Sequence, residues 1–101
     1  MPTKSPDRPE LLRLLRAHLP KLRDTYSVRT LGIFGSHARG EARKGSDLDL
    51  LVEFDQPPSL LRYIELEQRL SDLLGIKVDL VMKEALKPAI GRRILSEVVP
   101  V

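Results

Sequence analysis

Two aspartates separated by one residue, Asp47 and Asp49, lie in an apolar run that follows a Gly-Ser pair at Gly35 and Ser36. Side chains alternate across a strand, so carboxylates at positions i and i+2 point to the same face. Carboxylate oxygens presented in this way suit a hard cation such as Mg²⁺. A Gly-Ser turn that begins a helix exposes backbone N–H groups without intrahelical partners, and such groups can hold phosphate. The pattern therefore predicts a phosphate-binding turn beside a divalent-cation site.

A third candidate carboxylate is Asp79, in the segment IKVDLVM at residues 76–82. This segment is predicted to be a strand in which Val78 and Leu80 face one way and Asp79 faces the other. A charge in the middle of an otherwise apolar strand is costly unless it is paired or coordinates a ligand. We therefore predict that Asp79 is the third member of the site.

The Gly-Ser pair is expected to join a strand to a short helix. Residues 28–34 are apolar or β-branched and end at Gly35, which predicts the first strand, and Gly32 within it indicates close approach of a neighbouring backbone or a bulge. A short helix is predicted from Ser36 to about residue 41. Arg39 on this helix could neutralise phosphate charge, although a surface arginine is an equally good interpretation, and His37 is predicted to face solvent.

The second strand, residues 47–54, alternates clearly: one face is Leu48, Leu50, Val52 and Phe54, and the other is Asp47, Asp49, Leu51 and Glu53. A long helix is predicted from residue 60 to about residue 74, with Ser59 as N-cap and Gly75 after its end. Its predicted apolar stripe is Leu60, Leu61, Ile64, Leu66, Leu70, Leu73 and Leu74. We expect this stripe to cover one face of the sheet.

Terminal helices are predicted on both sides of these strands. Residues 1–7 should form an irregular lead-in, with Asp7 capping a leucine-rich helix that Pro20 ends or kinks. A last helix is predicted from residue 87 to about residue 99, with Glu97 on its outer side and an apolar face that is either core or a partner surface. The elements together predict an α/β (α+β) fold in one domain over residues 1–101: a small mixed β-sheet of three to four strands with helices packed on it.

Composition and charge narrow the function classes. The chain has 101 residues and no cysteine, which excludes disulfides, cysteine zinc sites and thiol nucleophiles. No apolar run approaches the roughly 18 residues of a membrane span, and a cytoplasmic protein without a signal peptide is expected. Residues 1–45 carry a net charge of +6 and residues 46–101 carry −3. No aromatic residues are interleaved with the basic ones, so direct nucleic-acid binding is not expected.

The order Gly35-Ser36, ten intervening residues, Asp47-x-Asp49 and a distant Asp79 resembles the nucleotidyltransferase superfamily that includes DNA polymerase beta. The string GSHARGEARKGSDLDLLVEF resembles the minimal nucleotidyltransferase family, whose members are antitoxin partners of HEPN-domain toxins. The resemblance extends from the first helix to beyond Asp79. It implies a sheet and helices like those of the polymerase beta palm.

The resemblance also implies a reaction: Mg²⁺-dependent transfer of AMP from ATP to a hydroxyl of a HEPN toxin, namely that of a tyrosine. Asp47, Asp49 and Asp79 would then be the catalytic residues and would hold two Mg²⁺ ions, while Gly35, Ser36 and Arg39 would bind the nucleoside triphosphate. Two alternatives are open. One is a nucleotide-binding antitoxin that neutralises its partner by binding alone, and the other is a small-molecule nucleotidyltransferase, which would need an acceptor pocket.

Overall fold

A computed structural model describes residues 6–101, so most of the predicted lead-in, residues 1–5, lies outside the described residues. The four helices are α1 (Arg8–Tyr26), α2 (Ser36–Arg39), α3 (Leu60–Leu74) and α4 (Pro88–Glu97). The four strands are β1 (Val28–Phe34), β2 (Leu48–Phe54), β3 (Val78–Met82) and β4 (Val99–Pro100). The strands form one sheet in the order β3-β2-β1-β4, in which β2 and β3 are parallel and the other pairs antiparallel. The predicted small mixed sheet is confirmed.

Alternation along β2 separates a core face from an open face. Leu48, Leu50 and Val52 are fully buried and belong to the main apolar cluster, whose other members come largely from α1 and α3. Asp49 and Glu53 are only partly buried and lie on the opposite face. The faces predicted from the sequence are therefore correct.

Helix α1 runs through Pro20, so of the two predicted effects, an end or a kink, the end is wrong. An internal proline removes one helical hydrogen bond and costs about 3 kcal/mol. Here Pro20 lies on the exposed side, while Leu19 and Leu22 beside it are buried. Their packing holds the last turns in place, and the helix ends only at Ser27, which adopts a left-handed conformation.

Helix α3 has the predicted bounds because both ends are capped. The Ser59 side chain accepts a hydrogen bond from the Arg62 N–H at 3.2 Å, and Gly75 is left-handed. Its predicted apolar stripe is wrong at the N-terminal end, where three side chains are exposed: Leu60 (73%), Leu61 (79%) and Ile64 (51%). The buried residues Leu66, Leu70 and Leu74 are spaced four apart and share one face of the helix. Arg62, four residues before Leu66, lies on the same face, and its Cζ atom is 4.9 Å from the centroid of the Tyr26 ring.

The C-terminal segment differs most from the prediction. Helix α4 ends at Glu97 rather than near residue 99, and Val99 then pairs with Ile33 of β1. The predicted close approach of a neighbouring backbone at Gly32 is confirmed, because a Cβ there would lie 3.4 Å from the Val99 carbonyl oxygen and would overlap the Val98 side chain. This pairing brings the end of α4 against β1.

Within residues 6–101, no helix is long and apolar enough to cross a membrane.

Candidate active site

The register of two parallel strands sets two of the predicted carboxylates side by side. Asp49 of β2 pairs directly with Asp79 of β3, and both lie on the face opposite the core. Asp47 immediately precedes β2, and its carboxylate lies 3.8 Å from the Lys77 Nζ atom. The structure therefore brings the three aspartates to one edge of the open face.

The three carboxylates are close enough to affect the ionisation of Asp49. Partial burial, followed by repulsion from Asp79 and then Asp47, raises the pKa of Asp49 above its ordinary value. A carboxylate with two like-charged neighbours is costly to ionise without a counter-ion. A cation placed among the three would relieve this repulsion and favour the ionised form.

The Gly-Ser bend lies directly against Asp49. Gly35 has a φ of 74°, which favours glycine, and a Cβ added to it would overlap the Asp49 carboxylate. The preceding residue, Phe34, is the β1 partner of Asp49. Only glycine fits at this position, so the bend and the carboxylates form one site. Ser36 is half-buried and begins α2.

Arg39 lies one turn along α2 and is held by two carboxylates. Its Nε atom donates to the Glu41 Oε1 atom at 2.7 Å, and its Nη1 atom donates to the Glu97 Oε2 atom at 3.1 Å. The Gly35 N–H also donates to the Glu97 Oε1 atom, at 3.3 Å. Two of the three predicted nucleotide-binding residues, Gly35 and Arg39, therefore share one carboxylate.

Glu97 is a site residue that sequence reasoning missed. It was predicted on the outer side of the last helix, but its side chain is only 20% exposed and contacts both Gly35 and Arg39. The cause is the pairing of β4 with β1, which carries the end of α4 to the bend. No local pattern in the sequence indicates this contact.

His37 is also placed differently from the prediction. It was expected to face solvent, yet it is only 6% exposed, and its Nε2 atom is buried without a hydrogen-bond partner. His37 is close enough to Asp49 to lower the pKa of that carboxyl slightly, against the larger raising effects. The short helix α2 therefore turns this side chain inward.

The donor chemistry of the three carboxylates fits a hard cation such as Mg²⁺. Asp47, Asp49 and Asp79 share one face, and their mutual repulsion favours a cation between them. Among residues 6–101, however, no three acidic, histidine or cysteine side chains are already close enough together to hold a metal ion. Binding would therefore require the carboxylates to move closer.

Comparisons with known proteins agree on the family. Residues 15–101 match the family described as "Nucleotidyltransferase domain". The chain is 52% identical over 90 residues to the protein adenylyltransferase MntA of Thermococcus cleftensis, covering 89% of this chain and 91% of that protein. A solved structure of a protein described as a minimal nucleotidyltransferase matches with a TM-score of 0.80 and 38% identity, over 98% of this chain and 100% of that one.

Two more distant solved structures share the fold. A toxin-antitoxin structure with AMP-PNP matches with a TM-score of 0.67 and 23% identity, over 89% of this chain and 68% of that one. A complex of a tri-AMPylated HEPN toxin of Shewanella oneidensis with its MNT antitoxin matches with a TM-score of 0.65 and 20% identity, over 89% and 70%. At these identities the likeness extends to the fold alone.

Proposed function

Because the chain belongs to the nucleotidyltransferase family, in its minimal branch, we propose that it transfers AMP from ATP to a hydroxyl of a HEPN-domain toxin and so acts as an antitoxin. The observation that carries this proposal is the pairing of Asp49 with Asp79 beside the Gly35 bend. Carboxylates next to a phosphate-binding turn are what phosphoryl chemistry requires. The proposed reaction takes place in the cytoplasm, where ATP is available.

In the proposed reaction a hydroxyl oxygen of the partner, from a tyrosine side chain, attacks the α-phosphorus of ATP. A new phosphorus–oxygen bond forms, the bond to the β-phosphate oxygen breaks, and pyrophosphate leaves. The hydroxyl proton passes to a carboxylate, for which we assign Asp79 because it is exposed at the open edge of the site. AMP remains on the partner.

The charges on the phosphates need counter-charges and hydrogen-bond donors. We assign the bend at Gly35 and Ser36 and the guanidinium of Arg39 to the β- and γ-phosphates, since backbone N–H groups and arginine both favour phosphate oxygens. Asp47, Asp49 and Asp79 would hold two Mg²⁺ ions. When bound, these ions supply charge neutralisation at the transferred and leaving phosphates.

Support for the partner comes from the relatives. The relative from Thermococcus cleftensis is named a protein adenylyltransferase, and the Shewanella oneidensis complex contains an AMPylated HEPN toxin. The structure with AMP-PNP contains an ATP analogue, which supports ATP as the substrate. A protein acceptor is therefore the substrate class that we favour.

The test is transfer of labelled AMP to the cognate HEPN-domain protein. Purified chain, Mg²⁺ and α-labelled ATP should label the partner, and mass spectrometry should locate AMP on a hydroxyl-bearing residue. Asp47→Asn should reduce labelling at least about 100-fold, because it removes a proposed Mg²⁺ ligand. Asp55→Asn is the matched control, since Asp55 follows the other end of β2 and pairs with Arg29.

The outcomes separate the candidate functions. If the wild-type chain binds and neutralises the partner without transferring AMP, and Asp47→Asn neutralises it equally well, the protein is a binding antitoxin without catalysis. If neither labelling nor complex formation occurs, the proposed partner is wrong.

A further inference from the structure

The carboxylate of Glu97 occupies donors that phosphate would be expected to use. It accepts hydrogen bonds from the Gly35 N–H at 3.3 Å and from the Arg39 Nη1 atom at 3.1 and 3.3 Å. Under the proposed function, the same two residues bind the terminal phosphates of ATP. A carboxylate and a phosphoryl group accept hydrogen bonds from a guanidinium in the same way. Glu97 and a nucleotide phosphate therefore compete for one set of donors.

Glu97 is a full anion when it makes these contacts. The hydrogen bond from Arg39 is the largest reason that the pKa of Glu97 lies below its ordinary value, and the Gly35 N–H lowers it further. The side chain is also mostly covered, with only 20% exposed. It is therefore a charged and partly enclosed group rather than a mobile surface side chain.

The backbone that follows Glu97 is anchored to the sheet. Val98 packs over Gly32, and Val99 pairs with Ile33 in the sheet. Rotation about the side-chain bonds of Glu97 can release Gly35 and Arg39 without breaking this pairing. The exchange of a carboxylate for a phosphate therefore needs no change of fold.

We propose that Glu97 is an internal substitute for the terminal phosphates of the nucleotide: it holds Gly35 and Arg39 in the nucleotide-free protein and leaves when the triphosphate binds. This inference rests on the proposed function, because it takes Gly35 and Arg39 as the phosphate-binding residues. It adds a residue that limits the affinity for nucleoside triphosphates and leaves the affinity for AMP nearly unchanged. An occupied site also prevents other anions from binding to the bend.

The experiment measures binding of AMP-PNP with Mg²⁺ by calorimetry. Glu97→Gln should tighten binding roughly 3- to 10-fold, because a neutral amide competes less well than a carboxylate for charged donors. AMP affinity should change less than about twofold, since AMP has no terminal phosphates. Glu41→Gln is the matched control: Glu41 also pairs with Arg39, through the Nε atom, but it does not bond to Gly35. It should change AMP-PNP affinity less than about twofold.

A second variant distinguishes the loss of the Glu97 hydrogen bonds from the loss of its negative charge. Glu97→Asp keeps the charge and shortens the side chain, so it should tighten AMP-PNP binding in the same direction as Glu97→Gln. The melting temperature of each variant is measured first, and either variant alone is sufficient for the test if the other does not fold.

Several results would overturn the inference. Weaker AMP-PNP binding in folded Glu97 variants would mean that Glu97 orients Arg39 for the nucleotide. Equal tightening in the Glu97 and Glu41 variants would mean that only the net charge matters. If the wild-type chain transfers AMP and these results are found, the inference alone fails. If wild-type protein binds no AMP-PNP, the proposed function fails together with it.

Discussion

The two ends of β2 carry acidic residues in opposite electrostatic situations. At the C-terminal end, Glu53 accepts a hydrogen bond from the Thr30 hydroxyl at 2.9 Å and lies 3.5 Å from the Lys83 Nζ atom, and Asp55 pairs with Arg29 at 2.7 Å. At the N-terminal end, partial burial, followed by repulsion from Asp79 and then Asp47, raises the pKa of Asp49 above its ordinary value. Paired carboxylates stabilise the fold, whereas carboxylates left in mutual repulsion indicate a place for a ligand.

The largest difference between the two ends should appear in catalysis. Asp49→Asn should reduce AMP transfer to the partner at least about 100-fold, because it removes a proposed Mg²⁺ ligand with little change of shape. Glu53→Gln should leave transfer within about threefold of wild type. The Glu53 side chain lies at the C-terminal end of β2, where it contacts Thr30 and Lys83. Initial rates of labelling measure both, and similar losses in the two variants would contradict the distinction.

A second change tests the contact between the bend and Asp49. Gly35→Ala should reduce transfer roughly 10- to 100-fold, because the new Cβ would overlap the Asp49 carboxylate. Gly45→Ala is the matched control: Gly45 also has a positive φ, of 87°, but among the described residues other than its two chain neighbours no atom lies within 4 Å of its added Cβ. Both variants should lose roughly 1–3 kcal/mol of stability, because alanine is strained at a positive φ. Only Gly35→Ala should lose activity, and equal activity in the two would contradict this geometry.

The stabilisation of the chain by Mg²⁺ and AMP-PNP should depend on acidic residues at only one end of β2. Mg²⁺ with AMP-PNP at 100 times its Kd adds about 2.7 kcal/mol to the free energy of unfolding, and should raise the Tm of the wild-type chain by at least about 5 °C. Glu53→Gln should respond like wild type, and Asp49→Asn should respond much less. Thermal unfolding followed by circular dichroism measures this, with EDTA reversing the Mg²⁺ contribution. A full response in Asp49→Asn would count against the assigned ligand.

The smallest expected effect is on stability without ligand. The folded-state pKa of Asp49 lies above its unfolded value, so the stability that this group contributes is complete at low pH and is lost as pH rises through the raised pKa. Asp49→Asn should therefore raise the Tm by a few degrees at pH 7 and have little effect near pH 3.5. Melting curves across this range without Mg²⁺ measure it. A lower Tm at pH 7 would mean that Asp49 makes a stabilising contact as an anion.

Local patterns predicted the elements that carry the three aspartates. Alternation along residues 47–54 placed Asp49 on the open face, and Asp79 stood out as the charge within an apolar strand. Capping chemistry at Ser59 and Gly75 predicted both ends of α3. Each of these features depends on residues that are close together in the sequence, so it could be predicted from the sequence alone.

Long-range contacts could not be predicted in the same way. Glu97 reaches the bend only because β4 pairs with β1, and its two residues include Pro100, which does not suggest a strand. Leu60 and Leu61 were predicted to be buried because they are hydrophobic, but both are exposed. The face of α3 that packs against the core is the one with Leu66, Leu70 and Leu74. His37 is buried because α2 packs against β1 and β2. Each depends on how distant elements pack.

The parallel pairing of β2 with β3 has a consequence for how this protein acquires activity during folding. Asp49 and Asp79 are thirty positions apart, and parallel strands can meet only after the intervening helix has crossed over the sheet. Closing that crossover is a non-local step. A chain in which only β1 and β2 have paired has Asp47 and Asp49 in place without Asp79, so the proposed active site is complete only once β3 has joined the sheet.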